Sequence, residues 1–267
     1  MARYMSWRGQ RIVLLLAILL LVVAGGCQGS IVASTRGFPP NTGFVRHSYV
    51  VDGDRREMWV FVPRDYAAAR KYPAIVFLHG LFEAGTDPDA CLNAGLGPVI
   101  ARDPGRWPFV TLFPQSDGTW KGEKRERLVL KSLDAAQQTY SIDPDRVILA
   151  GLSYGALGTW EIGARNADRF AALVPVSGHR ATELVERLVM LPVWAFAVTG
   201  DMFVSAQSSQ DMCEQLQARG GRAKLTEFKG VGHDCWDRAV AESNLVGWML
   251  AQRRQAPAAP ALAGAGE

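Results

Sequence analysis

The stretch Val147-Ile-Leu-Ala-Gly-Leu-Ser153-Tyr-Gly155 joins a short apolar run to a serine that has glycine two positions before it and two positions after it. Such a run is typical of a strand that is buried on both faces of a parallel sheet. The residues after Gly155 repeat apolar side chains at helical spacing. The stretch therefore predicts a buried strand, a sharp turn at Ser153 and a helix that begins directly after it.

The same alternation runs through most of the chain. Short β-branched and aromatic runs alternate with longer helical patterns, which predicts an α/β fold with a mostly parallel sheet of about eight strands and helices on both faces. The predicted strands are Phe44–Val51, Met58–Val62, Ala74–Leu78, Phe109–Phe113, Val147–Ala150, Ala172–Val176, Val193–Val198 and Ala223–Phe228. The predicted helices are Glu123–Tyr140, Tyr154–Asn166, Ser205–Arg219 and Cys235–Arg253. The first two strands, separated by Asp52-Gly53-Asp54, predict an antiparallel hairpin.

Both ends of the chain are predicted to lie outside the folded domain. Residues 1–27 combine basic residues with the apolar stretch Ile12–Ala24, which is typical of a signal peptide and shorter than the roughly 20 residues that span a bilayer. Residues 28–43, rich in Gly, Ser and Pro, predict a linker. Residues 254–267, built mainly of Ala, Pro and Gly, predict a disordered tail. One domain over residues 44–253 is expected.

Cys27 follows the small residues Ala24-Gly25-Gly26, and this resembles a bacterial lipoprotein box in which Cys27 becomes the lipidated N-terminus. The alternative is an ordinary secretory cleavage site near the same place. Both interpretations predict export, either as a periplasmic or cell-envelope lipoprotein or as a secreted protein. Contact with a membrane is expected only through the N-terminal lipid.

The net positive charge of the chain comes from its predicted signal peptide, the leader. The sequence has 29 Lys and Arg against 26 Asp and Glu. Removing the leader removes Arg3, Arg8 and Arg11 and no acidic residue, so the mature domain is close to neutral. A neutral domain without a basic cluster excludes nucleic-acid partners, because their binding depends on neutralised phosphates.

Three cysteines, Cys91, Cys213 and Cys235, lie in the predicted domain. An oxidising compartment permits one disulfide among them. The elements that carry Cys213 and Cys235 are expected to flank the same end of the sheet, which favours a disulfide between these two residues. The alternative is three unpaired, buried thiols. No group of Cys and His has the spacing of a zinc site, so we predict no metal.

Ser153 is the candidate nucleophile, and a serine hydroxyl needs a base that a third group orients. His233 lies in a glycine-rich loop after the last predicted strand, and Asp201 follows the strand before it. They give the order serine, acid, histidine along the chain. His179 is the rival base, but it precedes any candidate acid. The alternative to this orienting role is that Asp201 is structural, either in a buried turn or as a helix cap.

The other acids fit the orienting role less well. Asp211 is predicted on a helix surface, Glu227 within the last strand, and Asp234 beside the histidine itself. The backbone N–H groups of Leu81 and Tyr154 are the predicted oxyanion donors, the second being the residue after the nucleophile. His79 is predicted to be structural, and Phe82, Trp120, Phe203 and Trp236 are candidates to line a pocket or to pack in the core.

Four segments together carry a resemblance to a known family: residues 78–87, 145–155, 168–178 and 230–237. They resemble secreted esterases of the phospholipase/carboxylesterase, polyhydroxybutyrate-depolymerase and feruloyl-esterase kind, and they are similar to prolyl oligopeptidase-like catalytic domains. The resemblance implies an α/β-hydrolase fold without a large lid. It also implies a serine esterase that acts on small or polymeric esters through an acyl-enzyme and without a cofactor.

Three departures from the family bear on loop packing and substrate fit. Ala197-Val198 stands where the family usually has His-Gly, Val204-Ser205 where Val-Pro is frequent, and Ala156 where a second glycine is common. Two alternatives remain open at this point. One is a serine peptidase of the prolyl oligopeptidase-like type, and the other is a non-catalytic binding lipoprotein on a hydrolase scaffold.

Overall fold

The computed structural model describes residues 31–178 and 184–254. The predicted signal peptide with Cys27, the first residues of the predicted linker, His179 and the tail from residue 255 lie outside the described residues. Among the residues that are described, no helix is long and apolar enough to cross a membrane.

The centre of the molecule is an eight-stranded sheet in the order β1-β2-β4-β3-β5-β6-β7-β8. The strands are β1 Gly43–Val51, β2 Asp54–Val62, β3 Tyr72–Leu78, β4 Val110–Pro114, β5 Ile142–Leu152, β6 Ala172–Val176, β7 Val193–Gly200 and β8 Ala223–Val231. The pairs β1–β2 and β2–β4 are antiparallel, and all the others are parallel. The predicted mostly parallel α/β sheet and its opening hairpin are confirmed.

Helices cover both faces of this sheet. They are α1 Leu96–Arg102, α2 Glu123–Thr139, α3 Tyr154–Arg165, α4 Val185–Leu188, α5 Ala206–Ala218, α6 Trp236–Glu242 and α7 Leu245–Ala251. Successive residues of β3 point to opposite faces, so Val76 belongs to one apolar cluster and Ile75 to the other. Helices α2, α3 and α5 contribute buried residues to the first cluster, and α1, α6 and α7 to the second.

The helices differ from the prediction at three places: the last predicted helix is divided, and the short helices α1 and α4 were not predicted. The helix predicted over Cys235–Arg253 is two helices, because Ser243 is extended and its hydroxyl binds the Ala239 carbonyl. Serine and asparagine compete in this way with the backbone bonds of a helix. Helix α1 was not predicted, because Gly97 and Pro98 favour a loop, although proline is tolerated in the first turn of a helix.

Part of the predicted linker packs on the domain. Ile31 is 4% exposed and lies in the same apolar cluster as Phe44. The Phe44 N–H donates to the hydroxyl of Thr35. The folded part therefore begins before residue 44.

The favoured disulfide between Cys213 and Cys235 is wrong. Both thiols are free and buried, as is Cys91. Cys213 lies in the cluster on one face of the sheet and Cys235 in the cluster on the other, so the sheet separates them.

Candidate active site

Ser153 occupies the turn between β5 and α3. Its backbone has φ 57° and ψ −115°, a conformation that costs a residue with a side chain about 1–3 kcal/mol. The start of α3 lies so close to the end of β3 that a Cβ atom at Gly155 would collide with the Leu78 carbonyl. The Ser153 N–H donates to the carbonyl of Val176 at 3.0 Å, which fixes the turn against β6. The serine therefore lies at the carboxyl end of the central strands, where ligands of open α/β sheets bind.

His233 and Asp201 come together in the loops after β8 and β7. Nδ1 of His233 lies 2.7 Å from Oδ2 of Asp201, whose side chain is buried. The other oxygen, Oδ1, accepts the N–H groups of Phe203 at 2.8 Å and Val204 at 3.1 Å. This carboxylate favours a proton on Nδ1 of the histidine and leaves the Nε2 lone pair open.

Ser177 connects the histidine loop to the serine turn. Its hydroxyl donates to the carbonyl of His233, and its own N–H donates to Phe196 at 2.9 Å. The preceding residue, Val176, accepts the N–H of Ser153. Two consecutive residues thus hold the loops of Ser153 and His233 at the same rim of the sheet.

The rival acids are engaged elsewhere. The carboxylate of Asp234 accepts the N–H of Gly95 at 2.7 Å and that of Trp236 at 3.0 Å. Burial raises the pKa of Asp234. Asp211 binds Gln207 on the exposed side of α5, and Glu227 is exposed on β8. Of the acids weighed from the sequence, the structure brings only Asp201 to the ring of His233.

The loop after β3 passes over the serine. A Cβ atom built on Gly80 would lie 3.7 Å from Cβ of Ser153. Nδ1 of His79 donates to the Gly80 carbonyl at 2.7 Å, and Nε2 accepts the N–H of Ser116 at 3.1 Å. Burial lowers the pKa of His79 to about 4, so its ring is neutral near pH 7. His79 is therefore part of the loop rather than a proton carrier.

The two predicted oxyanion donors belong to the turns that meet at the serine. Tyr154 is the first residue of α3, so its N–H has no carbonyl partner within the helix. In a trans peptide the C=O and the next N–H point in opposite directions. Because His79 binds the carbonyl of Gly80, the N–H of Leu81 is directed away from that ring.

Three comparisons with known proteins bear on the fold. The model of the dienelactone hydrolase family matches residues 114–243, just under half of the chain. A crystal structure of a thermostable esterase superposes with a TM-score of 0.72 at 28% identity, over 79% of this chain and 63% of that one. The chain has an α/β-hydrolase fold. Its predicted resemblance to the esterases of this fold is confirmed.

Further relatives of this α/β-hydrolase are more distant or much longer. A bifunctional acetylxylan esterase/xylanase from Neocallimastix patriciarum is 29% identical over 160 residues, which are 58% of this chain and 23% of that protein. The hydrolase thus spans about a quarter of the length of this curated relative. FphF, a fluorophosphonate-binding serine hydrolase from Staphylococcus aureus, shares the fold at 16% identity, with a TM-score of 0.63 over 78% of this chain and 98% of that one.

The four aromatic residues considered for a pocket fall into two groups in this α/β-hydrolase. Phe82 is 74% exposed and Phe203 is 64% exposed, with ring centroids 6.1 Å apart. The ring of Phe203 lies 5.0 Å from that of His233. Trp120 and Trp236 are buried. Only the two phenylalanines border the site, and the two tryptophans pack in the interior.

Sequence reasoning missed two residues of the hydrolase site, Glu83 and Ser177. Glu83 is a buried acid in the loop after β3, and its only signal was an acidic residue in an otherwise apolar and small-residue segment. Ser177 is buried with φ 51°, and its signal was the Ser-Gly pair after a buried strand. The pattern of the sequence does not reveal the contacts of either residue.

Proposed function

We propose that this α/β-hydrolase is a serine esterase that cleaves carboxylic esters through an acyl-enzyme on Ser153. The observation that carries the proposal is the 2.7 Å contact of His233 with the buried carboxylate of Asp201, at the rim of the sheet that also carries a serine held at φ 57°. A base oriented by a buried acid is what a weakly nucleophilic hydroxyl requires. The similarity to a thermostable esterase supports the same chemistry.

The reaction begins when Nε2 of His233 takes the proton of the Ser153 hydroxyl and Oγ bonds to the ester carbonyl carbon. The N–H groups of Leu81 and Tyr154 bind the oxyanion, and each such donor is worth roughly 3–4 kcal/mol of barrier. The bond to the alcohol oxygen then breaks, and His233 protonates the leaving alcohol. Water, deprotonated by the same nitrogen, attacks the acyl-enzyme and releases the acid, which restores Ser153. These steps use no cofactor.

The substrate proposed for the site is an ester whose apolar part lies against Phe82 and Phe203. Exposed aromatic rings at the mouth of a site favour contact with apolar groups. The Neocallimastix relative is named as an acetylxylan esterase, and acetylxylan is a polymer that carries short acyl esters. Both small and polymeric esters are therefore proposed substrates.

The N-terminal segment is proposed to export this domain. Residues 1–27 would act as the signal peptide, with Cys27 as the lipidated N-terminus. Mass spectrometry of the protein from a membrane fraction tests the lipid directly. A diacylglyceryl-modified Cys27 is expected, and an unmodified N-terminus downstream of Cys27 would favour secretion without an anchor.

The test of the activity combines a covalent probe with turnover. A fluorophosphonate probe should label the wild type at Ser153, and Ser153→Ala should lose both the label and the hydrolysis of p-nitrophenyl acetate and butyrate. Ser208→Ala, in α5, is a control that should keep both. Hydrolytic activity retained by Ser153→Ala would reject the proposal. An unlabelled but folded wild type would favour a binding protein, and cleavage of peptide anilides without ester hydrolysis would favour a peptidase.

A further inference from the structure

We infer that Glu83 is a positioning residue for the oxyanion turn, because its buried carboxylate packs against the backbone of Gly80 and thereby fixes the N–H of Leu81. The inference rests on the proposed esterase function, since it concerns the donor that would bind the oxyanion. It assigns a role in catalysis to a carboxylate outside the triad.

The carboxylate of Glu83 folds back on the start of its own turn. A Cβ atom built on Gly80 would lie 2.8 Å from Oε2, and the backbone N–H groups of Gly80 and Glu83 act to lower the pKa of the carboxyl group. The backbone of Glu83 is held as well, because its carbonyl accepts Nε2 of Gln115 at 2.8 Å. A further bond of 3.1 Å from the Ala84 N–H to the Leu81 carbonyl tightens the same turn.

His79 and Glu83 both hold Gly80 in place. The ring of His79 donates to the Gly80 carbonyl, and the carboxylate of Glu83 packs against the same residue. The Gly80–Leu81 peptide therefore has little freedom to rotate, and the N–H of Leu81 keeps one direction. A free peptide at this point would have to be ordered during the reaction, which is a cost that a preorganised donor avoids.

The carboxylate lies close to the nucleophile. A Cβ atom built on Gly80 would be 2.8 Å from Oε2 of Glu83 and 3.7 Å from Cβ of Ser153. Glycine at position 80 thus leaves the space that the carboxylate occupies beside the serine. His233 and Asp234 are the charged neighbours of Glu83.

This position is unfavourable for the stability of the fold. Glu83 is 9% exposed, and no lysine, arginine or histidine of the described residues forms an ion pair with it. Burial raises the pKa of Glu83, and the nearby Asp234 adds to the rise. A buried carboxylate without a counter-ion destabilises a protein, so a neutral side chain of the same shape should be more stable. Replacing a carboxylate that only stabilises the fold would instead lower the stability of the protein.

Three variants separate the positioning role from a structural one. Glu83→Ala removes the side chain that packs against Gly80, and we expect kcat for p-nitrophenyl acetate to fall about 10- to 100-fold with KM changed less than about twofold. Glu83→Gln keeps the shape of the side chain, so its kcat should stay within about threefold of the wild type and its melting temperature at pH 7.5 should rise. Glu161→Gln is the matched control.

Glu161 is also buried, but it pairs with Arg165 at 3.3 Å on α3. Its replacement by glutamine should lower the melting temperature and leave kcat unchanged, which is the reverse of the result for Glu83→Gln. If Glu83→Ala does not fold, Gly80→Ala supplies the second test, because its methyl group would displace the carboxylate and should lower kcat with Glu83 still present.

Wild-type kcat in Glu83→Ala, or a loss that lies in KM alone, would overturn the inference. A kcat in Glu83→Gln as low as that of the alanine variant would overturn it too, because the charge rather than the packing of the side chain would then matter. The failure of the proposed function has a different signature, since Ser153→Ala would remain active. An inactive Ser153→Ala beside a fully active Glu83→Ala rejects the role of Glu83 alone.

Discussion

The hydrogen bond between His233 and Asp201 determines which nitrogen of the ring carries the proton. With an aspartate on Nδ1, the proton stays there and Nε2 can act as the base. An asparagine that donates its amide N–H to Nδ1 would favour the other tautomer. At this scale a single atom decides whether the histidine can accept the serine proton.

Asp201→Asn is therefore expected to lower kcat for p-nitrophenyl esters by about 10³- to 10⁴-fold with little change in KM. Steady-state kinetics at pH 7.5 measures this. Asp211→Asn, on the exposed side of α5, is the control and should match the wild type. Activity above about a tenth of the wild type in Asp201→Asn would show that another group orients the histidine.

The charge of Glu83 also predicts a pH dependence of stability. Its folded pKa is raised, chiefly by burial, while the N–H groups of Gly80 and Glu83 and the charge of His233 act in the opposite direction and Asp234 adds to the rise. A raised carboxyl pKa means that the protonated form is favoured in the fold. The contribution of Glu83 to stability is then fully present below the unfolded pKa of about 4.3 and is lost as the pH rises through the folded pKa.

We expect Glu83→Gln and the wild type to have similar free energies of unfolding near pH 4 and to diverge in favour of the variant toward pH 8. Urea denaturation at a series of pH values measures the difference. A constant difference across that range would mean that Glu83 ionises alike in the folded and unfolded chain.

At the scale of elements, the carboxyl ends of neighbouring parallel strands bring the site together. The loops after β3, β5, β7 and β8 carry Gly80 and Leu81, Ser153, Asp201 and His233 respectively. Ser177, after β6, binds the carbonyl of His233 from the middle of this set. The side chain of one residue thus couples the β6 loop to the β8 loop.

Ser177→Ala should release the loop of His233 and lower kcat about tenfold, because a small displacement of a catalytic group has a large effect on rate. Ser132→Ala is the matched control, since Ser132 is equally buried but its hydroxyl binds Val129 within α2. The control should keep the wild-type kcat. Equal kcat values for the two variants would assign Ser177 to folding alone.

The sequence predicts some of these features better than others, for a physical reason. The apolar runs of β3 and β5 indicate buried strands by themselves, because a strand buried on both faces needs apolar residues throughout. Their order then predicts that the loops carrying Ser153, Asp201 and His233 share one edge of the sheet. The roles of Glu83 and Ser177 depend on backbone partners in other parts of the chain, and local patterns hold no information about such contacts.

At the scale of the whole molecule, the two apolar clusters on either face of the sheet hold the layers together. The cluster on the face of α1, α6 and α7 includes Ile31, which lies before the predicted start of the domain. The composition of residues 28–43 predicted a linker, because Gly, Ser and Pro dominate it. Ile31 docks on the core together with Val32 and Phe38, which pack against the same cluster, and composition averages over such residues.

Ile31→Ala should consequently lower the free energy of unfolding by about 2–4 kcal/mol, as expected for a buried isoleucine that leaves a cavity. Val50→Ala is the control, because Val50 is 62% exposed on β1 and its truncation should change stability by less than about 0.5 kcal/mol. Activity at 25 °C should be the same in both variants, since neither residue borders the site. Equal stability of the two variants in urea denaturation would show that residues 31–43 belong to the linker and that the domain starts at residue 44.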